Sequence, residues 1–311
     1  MSPRLLVIVG PTCTGKTAVA VAAALRLRNA ELLSADSRQV RRHLHVGTCK
    51  PTEAELRGVP CHLLDLCDPG EAFTVADWLR AARHTMSDVE GRGGTPIVVG
   101  GTGLYVSALI DGFDLASTPP DHERRAAREA AVESGGVETL AAELRTRDPE
   151  AAATIDTRNP RRLIRALEIL DAGAASLRTS RSARSLDVTL IGLDAPPDVH
   201  TGWVQQRVDA MFAGGRLIEE TRHALDAGIA ADALTASGIG YAEAVAVVDG
   251  TLSEADAIAA TVRRTVRYAR AQRSYWRRDA RVRWLRADLA TSEALGERIA
   301  GEHPFAILPV P

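Results

Sequence analysis

The chain has 311 residues, of which 45% are hydrophobic and 25% charged, and its formal net charge is −2. This length is typical of two domains or of one large α/β domain with an insertion, and the apolar content is sufficient for a packed core. No apolar run approaches the ~20 residues of a membrane span, no signal-peptide pattern opens the chain, and the four cysteines form no C-x-x-C pair, so we expect a cytoplasmic protein without a disulfide framework or metal cluster.

The first motif is a glycine-rich loop that follows an apolar, strand-like run at 5–9 and precedes an alanine-rich helical run. It consists of Gly10, Pro11, Thr12, Cys13, Thr14, Gly15, Lys16 and Thr17. This is the complete pattern G-x-x-x-x-G-K-[ST], in which backbone N–H groups and the lysine converge on phosphate and the hydroxyl can bind Mg²⁺. A tight turn before an ordinary helix is the alternative. Because strand and helix both lie where the motif needs them, the sequence predicts a diphosphate or triphosphate site, without indicating which.

Two further segments are predicted to reach the same edge of a sheet. Strand-like runs occur at 31–35, 59–65 and 95–99, with a helical run at 73–89. Asp36 follows the first of these strands, and a second glycine-rich loop with Thr102 follows the last. Ligands bind beyond the carboxyl ends of strands in open α/β sheets, so both residues are expected near the phosphate loop. Asp36 could be a base or metal partner, or it could cap a following helix. His62, in the middle strand, is expected to be a buried structural residue.

Lysine is confined to two positions, Lys16 and Lys50, and every other strong cation is arginine. Lys50 lies in an aperiodic loop at 46–52 with unusual neighbours. This distribution favours a functional role for Lys50, although chance survival of a lysine is the alternative.

Only helical patterns occur from residue 121 to about 170, and a Ser/Arg-rich return follows at 174–187. Asp148-Pro149 and Asn159-Pro160 are typical of an N-cap followed by proline at the first helical position. Arginines cluster on two of these helices, at 124, 125 and 128 and at 158, 161, 162 and 165. We interpret the segment as a helical insertion with a basic surface. Glutamates lie among the arginines, so a solvated charged face is the alternative.

The chain is expected to return to the core with a fifth strand at 188–193 and to continue as helices from about 199 to its end. Within 260–278, five arginines recur every three or four residues, at 263, 267, 270, 273 and 277. Tyrosine and tryptophan lie on the opposite side of this helix. The pattern favours a nucleic-acid-binding face over a merely solvated one, because few acids are interleaved.

These motifs together resemble the tRNA dimethylallyltransferase (tRNA isopentenyltransferase) family. The matching stretches are GPTCTGKT, ADSRQV, VGTCKP, VPCHLLD, GGTGLY, RRLIRALEIL, GIGYAEA and RRTVRYARAQRSYWRRD, in family order over nearly the whole chain. The chain departs from the family pattern at Arg41, where tyrosine is usual, at Cys49, where alanine is usual, and at Cys61, where histidine is usual. The fold that the resemblance implies is α/β, a P-loop NTPase-like core with a mostly parallel sheet flanked by helices, plus an inserted helical domain. The expected core is 1–117 with 186–311, including the C-terminal helices, and the expected tRNA-contacting insertion is 118–185.

The resemblance also implies a reaction and roles for individual residues. The family moves a dimethylallyl group from dimethylallyl diphosphate to the exocyclic amine of the adenosine 3′ of the anticodon. Lys16, Arg207 and Mg²⁺ on Thr17 would neutralise the diphosphate leaving group in the phosphate loop. Asp36 would accept a proton from the amine, and Thr102 would position that amine.

A larger set of residues is expected to contact the tRNA anticodon stem-loop. Its members are Asp36, Ser37, Arg38, Gln39, Lys50, Thr102, Arg124, Arg161, Arg162, Arg165, Arg267 and Arg270. We expect the protein to act as a monomer, without a membrane. The rival functions are an adenylate isopentenyltransferase or P-loop kinase acting on small molecules, which needs no arginine stripe, and a non-catalytic RNA-binding protein, which needs no intact phosphate loop.

Overall fold

The computed structural model describes residues 5–112, 122–171 and 186–303. The chain divides into two compact units. The core unit comprises Met1–Ile110 and Ser185–Pro311, and the helical unit comprises Asp111–Arg184. The predicted return at 174–187 lies almost entirely outside the described residues.

The core unit contains a six-stranded sheet in the order β3-β2-β4-β1-β5-β6. Its strands are β1 Leu5–Val9, β2 Ala30–Ser34, β3 Cys61–His62, β4 Thr95–Val99, β5 Val188–Asp194 and β6 Arg283–Arg286. Every pairing of neighbouring strands is parallel, which confirms the predicted sheet. Parallel sheets carry helices on both faces, and the central strands β1 and β4 are accordingly buried along their whole length.

Helices account for most of the remaining chain. In the core unit they are α1 Lys16–Ala24, α2 Glu53–Leu56, α3 Val75–Gly91, α4 Gly103–Ile110, α9 Pro197–Phe212, α10 Arg216–Asp226, α11 Ala231–Ser237, α12 Tyr241–Val248, α13 Glu254–Trp276 and α14 Ser292–Gly301. The helical unit contains α5 His122–Glu133, α6 Val137–Arg147, α7 Pro149–Thr154 and α8 Pro160–Asp171. Across the described ranges, none of these helices has both the length and the apolar character that crossing a bilayer requires.

Four details of the core unit differ from the sequence-based expectations. The C-terminal segment is not wholly helical, because β6 pairs with β5 at the edge of the sheet. The strand expected at 59–65 is reduced to Cys61–His62, and α9 begins at Pro197. His62 is not a buried residue: its side chain is 34% exposed, and its Nε2 lies 2.6 Å from Oε2 of Glu31.

The helical unit has an apolar cluster of its own, in which Leu144, Leu163 and Leu167 are fully buried. Both predicted helix starts are confirmed. Asp148 accepts a hydrogen bond from the amide of Ala151 (3.0 Å), and Asn159 accepts one from that of Arg162 (3.4 Å), each just before a proline that opens a helix.

Acidic and basic side chains of the helical unit pair closely on its surface. The guanidinium groups of Arg128 and Arg147 lie 2.8 and 2.7 Å from Asp171. Although burial opposes ionisation, hydrogen bonds from these two arginines lower the pKa of Asp171 to about 2. The carboxylate is therefore a structural anion of the helical unit.

Candidate active site

The phosphate loop joins β1 to α1 at the centre of the sheet. Its first residue, Gly10, has φ +137°, and a Cβ there would lie 2.3 Å from the carbonyl oxygen of Leu193. Glycine is therefore required at this position both for its backbone conformation and for the close approach of β5. Gly15 has φ +75° and directly precedes α1, so the positive end of that helix opens into the loop.

The loop presents a row of unpaired backbone donors. In the described part of the chain, no acceptor is found for the backbone amides of residues 13–17. Consecutive free N–H groups at a helix N-terminus form an anion-binding concavity. The side chain of Lys16 lies across the loop and donates to the carbonyl of Pro11 at 2.5 Å. This arrangement fits a phosphate ligand.

The pKa of Lys16 depends on its burial and on the charges of its neighbours. Loss of solvation is the largest effect and, despite attraction to Asp36, lowers the pKa of Lys16 from 10.5 to about 8, with the positive charge of Arg207 adding to the decrease. Arg207, exposed on α9, also lies beside the thiols of Cys13 and Cys49. The predicted cations, Lys16 and Arg207, are thus brought close to one another, where an anion between them would relieve their repulsion.

Asp36 and Thr102 lie at the ends of neighbouring strands, as the sequence predicts. Asp36 follows β2, is partly buried, and accepts a hydrogen bond from the amide of Arg38 (2.9 Å), within a turn and not at a helix start. The hydroxyl of Thr102 accepts a hydrogen bond from the amide of Ser37 (2.9 Å), and the amide of Thr102 donates to Ala35 (3.1 Å). These bonds hold the Asp36 turn and the second glycine loop together.

Tyr268 on α13 completes this cluster and was not predicted as a site residue. The guanidinium carbon of Arg38 lies 4.1 Å from the centroid of its ring. Burial, together with the nearby carboxylate of Asp36, raises the pKa of Tyr268, whose hydroxyl interacts with Thr102 and Gln272. The available signal is the spacing of residues 268, 272 and 275, which share one helix face, although the sequence alone gives this side of the helix no role beyond carrying aromatic side chains.

Two residues that were predicted to contact tRNA form hydrogen bonds with other residues of the protein. The side chain of Lys50 is 3% exposed, and its ammonium donates to the Asp65 carboxylate (2.5 Å) and to the carbonyl of Arg41. Gln39 accepts from the hydroxyl of Ser34 (2.8 Å) and donates to the carbonyl of Cys49 (2.9 Å). These contacts favour structural roles for both residues over phosphate binding.

The arginine stripe of α13 is divided into two parts. Arg273 and Arg277 pair with Asp194 at the end of β5, at 2.8 and 3.1 Å. Arg263, Arg267 and Arg270 are exposed, and no acidic partner is found for them within the described ranges. Only this second group, which includes the two residues predicted to bind tRNA, has guanidinium groups available for phosphates.

The predicted basic surface of the helical unit is also divided. Arg124 lies 3.4 Å from Asp171, and Arg165 lies 3.1 Å from Glu168. Arg161 and Arg162 are exposed at the start of α8. In the described parts of the unit they have no ionic partner, so these two are the arginines that fit an RNA-binding role best.

Thr17 is the predicted Mg²⁺ ligand, and its surroundings fit that role. Its hydroxyl forms no hydrogen bond with the described residues, and no group of three or more His, Cys, Asp or Glu side chains suited to a metal is found among them. Mg²⁺ commonly binds through one or two protein oxygens together with substrate phosphates and water, and it does not require an all-protein cage. A single hydroxyl beside a diphosphate site is therefore a sufficient protein contribution.

Comparisons with known proteins agree with this geometry. The sequence profile of the IPP transferase family matches residues 39–279, and that of the isopentenyl transferase family matches residues 3–66. A tRNA dimethylallyltransferase of Halalkalibacterium halodurans is 40% identical over 289 residues, which cover 91% of each protein. A full-length tRNA isopentenylpyrophosphate transferase from Bacillus halodurans, solved as a crystal structure, has a TM-score of 0.70 at 39% identity over 96% of each chain.

A more distant structure supports the fold alone. It is a eukaryotic dimethylallyltransferase acting on tRNA, with a TM-score of 0.78 and 22% identity over the whole of this chain and 82% of that one. The extent of the IPP transferase match and the identity to the bacterial relative are decisive for the family. This chain belongs to the IPP transferase family, that of the tRNA dimethylallyltransferases.

Proposed function

We propose that this protein transfers the dimethylallyl group of dimethylallyl diphosphate to the N6 amine of the adenosine 3′ of the anticodon, position 37, in tRNA. The observation that carries the proposal is the opposition of two sets of groups at one edge of the sheet. The amides of residues 13–17, without acceptors among the described residues, and Lys16 follow β1, whereas Asp36 and Thr102 follow β2 and β4, and Asp36 is close enough to Lys16 to affect its charge. The first set fits an anionic leaving group, and the second fits a neutral nucleophile that must lose a proton.

In this mechanism, the bond between the dimethylallyl carbon and the diphosphate oxygen breaks while the amine nitrogen bonds to that carbon. Lys16 and Arg207 neutralise the charge that develops on the diphosphate, and the free amides of the phosphate loop hold its oxygens. Thr17 would hold Mg²⁺, which would supply further charge neutralisation.

The amine loses one proton as its new bond forms, and Asp36 is placed to accept it. Thr102, fixed by its bonds to Ser37 and Ala35, orients the amine. The adenosine must leave the base stack to reach these groups, so the tRNA must also be bound by residues outside the site. Four exposed arginines fit this role, Arg267 and Arg270 on α13 and Arg161 and Arg162 on the helical unit. The enzyme is proposed to act as a monomer in the cytoplasm.

A second candidate is an adenylate isopentenyltransferase, which would share the phosphate loop and Asp36, both within the isopentenyl transferase match at residues 3–66. The two candidates differ in acceptor. Radiolabelled dimethylallyl diphosphate should be offered separately with total tRNA and with AMP, and transfer should be measured on each. Label on tRNA supports the proposal, whereas label on AMP alone supports the second candidate.

The role of Asp36 is tested by Asp36→Asn. The amide keeps the shape of the carboxylate and can still contact the amine, but it cannot take the proton. We expect turnover to fall by roughly 10²–10⁴-fold with both Michaelis constants near those of the wild type. Loss of tRNA binding with a normal rate for the remaining complex would instead make Asp36 a recognition residue.

A further inference from the structure

One face of α13 contacts the second glycine loop and the helix that follows it. Tyr268, Gln272 and Tyr275 occupy positions i, i+4 and i+7 and therefore share that face. The side-chain amide of Gln272 donates to the carbonyl of Gly101 (2.9 Å), and the hydroxyl of Tyr275 donates to that of Ser107 (2.8 Å). Tyr268 interacts with Thr102. This face of α13 therefore contacts residues 101–107, the segment that includes Thr102.

Gln272 extends these contacts to the phosphate loop. Its Oε1 accepts a hydrogen bond from the amide of Thr12 (2.8 Å), while its Nε2 donates to Gly101. The residue is 6% exposed, and a Cβ at Gly101 would lie only 2.1 Å from its Nε2. A planar amide with one acceptor and one donor end is required to bridge an N–H on one loop and a carbonyl on the other.

Thr12, whose amide Gln272 contacts, is also anchored from α9. The carbonyl of Thr12 lies 2.8 Å from Nε2 of His200, which is buried on α9. Thr12 is therefore held at both its N–H and its carbonyl, directly before the amides of residues 13–17, which have no acceptor among the described residues. The contacts of Thr12 accordingly fix the position of the backbone N–H groups that would bind the diphosphate.

We propose that Gln272 is a positioning residue that sets the distance between the diphosphate-binding loop and Thr102. This inference rests on the proposed function, in which the loop binds the leaving group and Thr102 orients the amine. Gln272 touches neither group and acts through the backbone of both loops. Misplacement of reacting groups by about 1 Å can reduce a rate by about 10²-fold, so the loss of one bridging amide is expected to have a large effect.

The test uses two variants that break the bridge from opposite ends. Gln272→Met keeps the length of the side chain and removes the hydrogen bonds to Thr12 and Gly101, together with the interaction with the Tyr268 hydroxyl. Gly101→Ala leaves the glutamine in place, but its Cβ displaces the Nε2 atom, and the position needs no left-handed backbone. Gln205→Leu is the matched control, because Gln205 is an exposed glutamine on α9 bonded only to Asp209 within the described residues.

We expect each bridge variant to lower kcat/KM for dimethylallyl diphosphate by roughly 10–100-fold, with the KM for tRNA changed less than about twofold. Pyrophosphate affinity, measured by calorimetry without tRNA, should also fall. The double variant should be no worse than the poorer single variant, because both remove the same bridge. The control should match the wild type in every assay.

The inference is overturned if a folded bridge variant keeps wild-type kcat/KM for dimethylallyl diphosphate or wild-type pyrophosphate affinity, or if activity falls only in proportion to the folded fraction. It is also overturned if the two single effects add in the double variant. If Gln272→Met fails to fold, Gly101→Ala decides the matter alone. Absence of transfer to tRNA by the wild type would refute the proposed function, whereas the pyrophosphate measurements would still decide whether Gln272 positions the loop.

Discussion

Lys16 is expected to destabilise the unliganded fold while it serves the reaction. Its pKa is lowered from 10.5 to about 8 in the folded protein, mainly by the loss of solvation. At 1.36 kcal/mol per unit this corresponds to about 3 kcal/mol, and we expect about 2 kcal/mol because solvent partly reaches the side chain. Lys16→Met removes the charge and keeps the stem, so it should raise the free energy of unfolding by about that amount at pH 7 while abolishing most turnover.

The pH dependence has a definite sign. Below pH 8 the lysine is protonated in both states, so the cost of holding its charge in the folded protein is fully present. Between pH 8 and 10.5 the unfolded chain binds more protons than the folded one, and the free energy of unfolding of the wild type should rise. Lys16→Met should lack this rise. Loss of the donor leaves the carbonyl of Pro11 with its hydrogen bond from the Thr14 hydroxyl (2.9 Å), so no buried acceptor is orphaned.

Urea unfolding of both proteins at pH 7, 8, 9 and 10 measures the difference. Saturating pyrophosphate should then stabilise the wild type more than Lys16→Met, because the ligand restores a partner to the ammonium. A variant that is less stable than the wild type at pH 7, with the same pH dependence, would refute the electrostatic argument. Full turnover in the variant would refute the assignment of the phosphate loop.

Three further outcomes follow from charges elsewhere in the chain. Arg267→Ala with Arg270→Ala should raise the KM for tRNA and reduce the slope of log affinity against log salt by roughly 1.4–1.8, while Arg80→Ala, an exposed control on α3, should change neither. Lys50→Met should lower the free energy of unfolding by about 1–3 kcal/mol in a urea titration and leave the slope of log tRNA affinity against log salt unchanged. A reduced slope would instead indicate that Lys50 contacts tRNA. Asp171→Asn should lower the free energy of unfolding of the helical unit by about 2 kcal/mol at pH 7, measured by circular dichroism. The difference between variant and wild type should vanish as the pH falls from about 4 to 2, and a pH-independent difference would contradict this account.

Local patterns were sufficient to predict the elements that place the site. β1, β4 and the start of α1 lie where the apolar runs and the glycine loop indicated, because buried parallel strands are continuous apolar segments. β6 was missed for the opposite reason. Its sequence is Arg-Trp-Leu-Arg, with only one fully buried position, and its strand character depends on pairing with β5 about 90 residues earlier in the chain.

The roles of polar residues were harder to predict than the strands, because they depend on partners that are distant in sequence. The spacing of the arginines on α13 indicated one face, yet Asp194 pairs with two of them from a strand about 80 residues away. Lys50 was similarly expected to have a functional role, because lysine is rare in the chain and the neighbours of Lys50 are unusual, and it was included among the expected tRNA contacts. Its actual surroundings, including Asp65, identify a buried ammonium in a loop network.

Gln272 is the clearest example of a role that sequence alone does not reveal. A glutamine among arginines on a helix has no distinctive pattern, and its two partners, Thr12 and Gly101, lie 260 and 171 residues away along the chain. The parallel sheet brings the ends of β1 and β4 together, and in the proposed function the two glycine loops need a fixed spacing because each would hold a different reactant. In the proposal above, a buried amide on the 23-residue helix α13 supplies that spacing with one donor and one acceptor. The same helix presents Arg267 and Arg270 on its exposed side, so α13 links the alignment of the loops to the surface expected to meet tRNA.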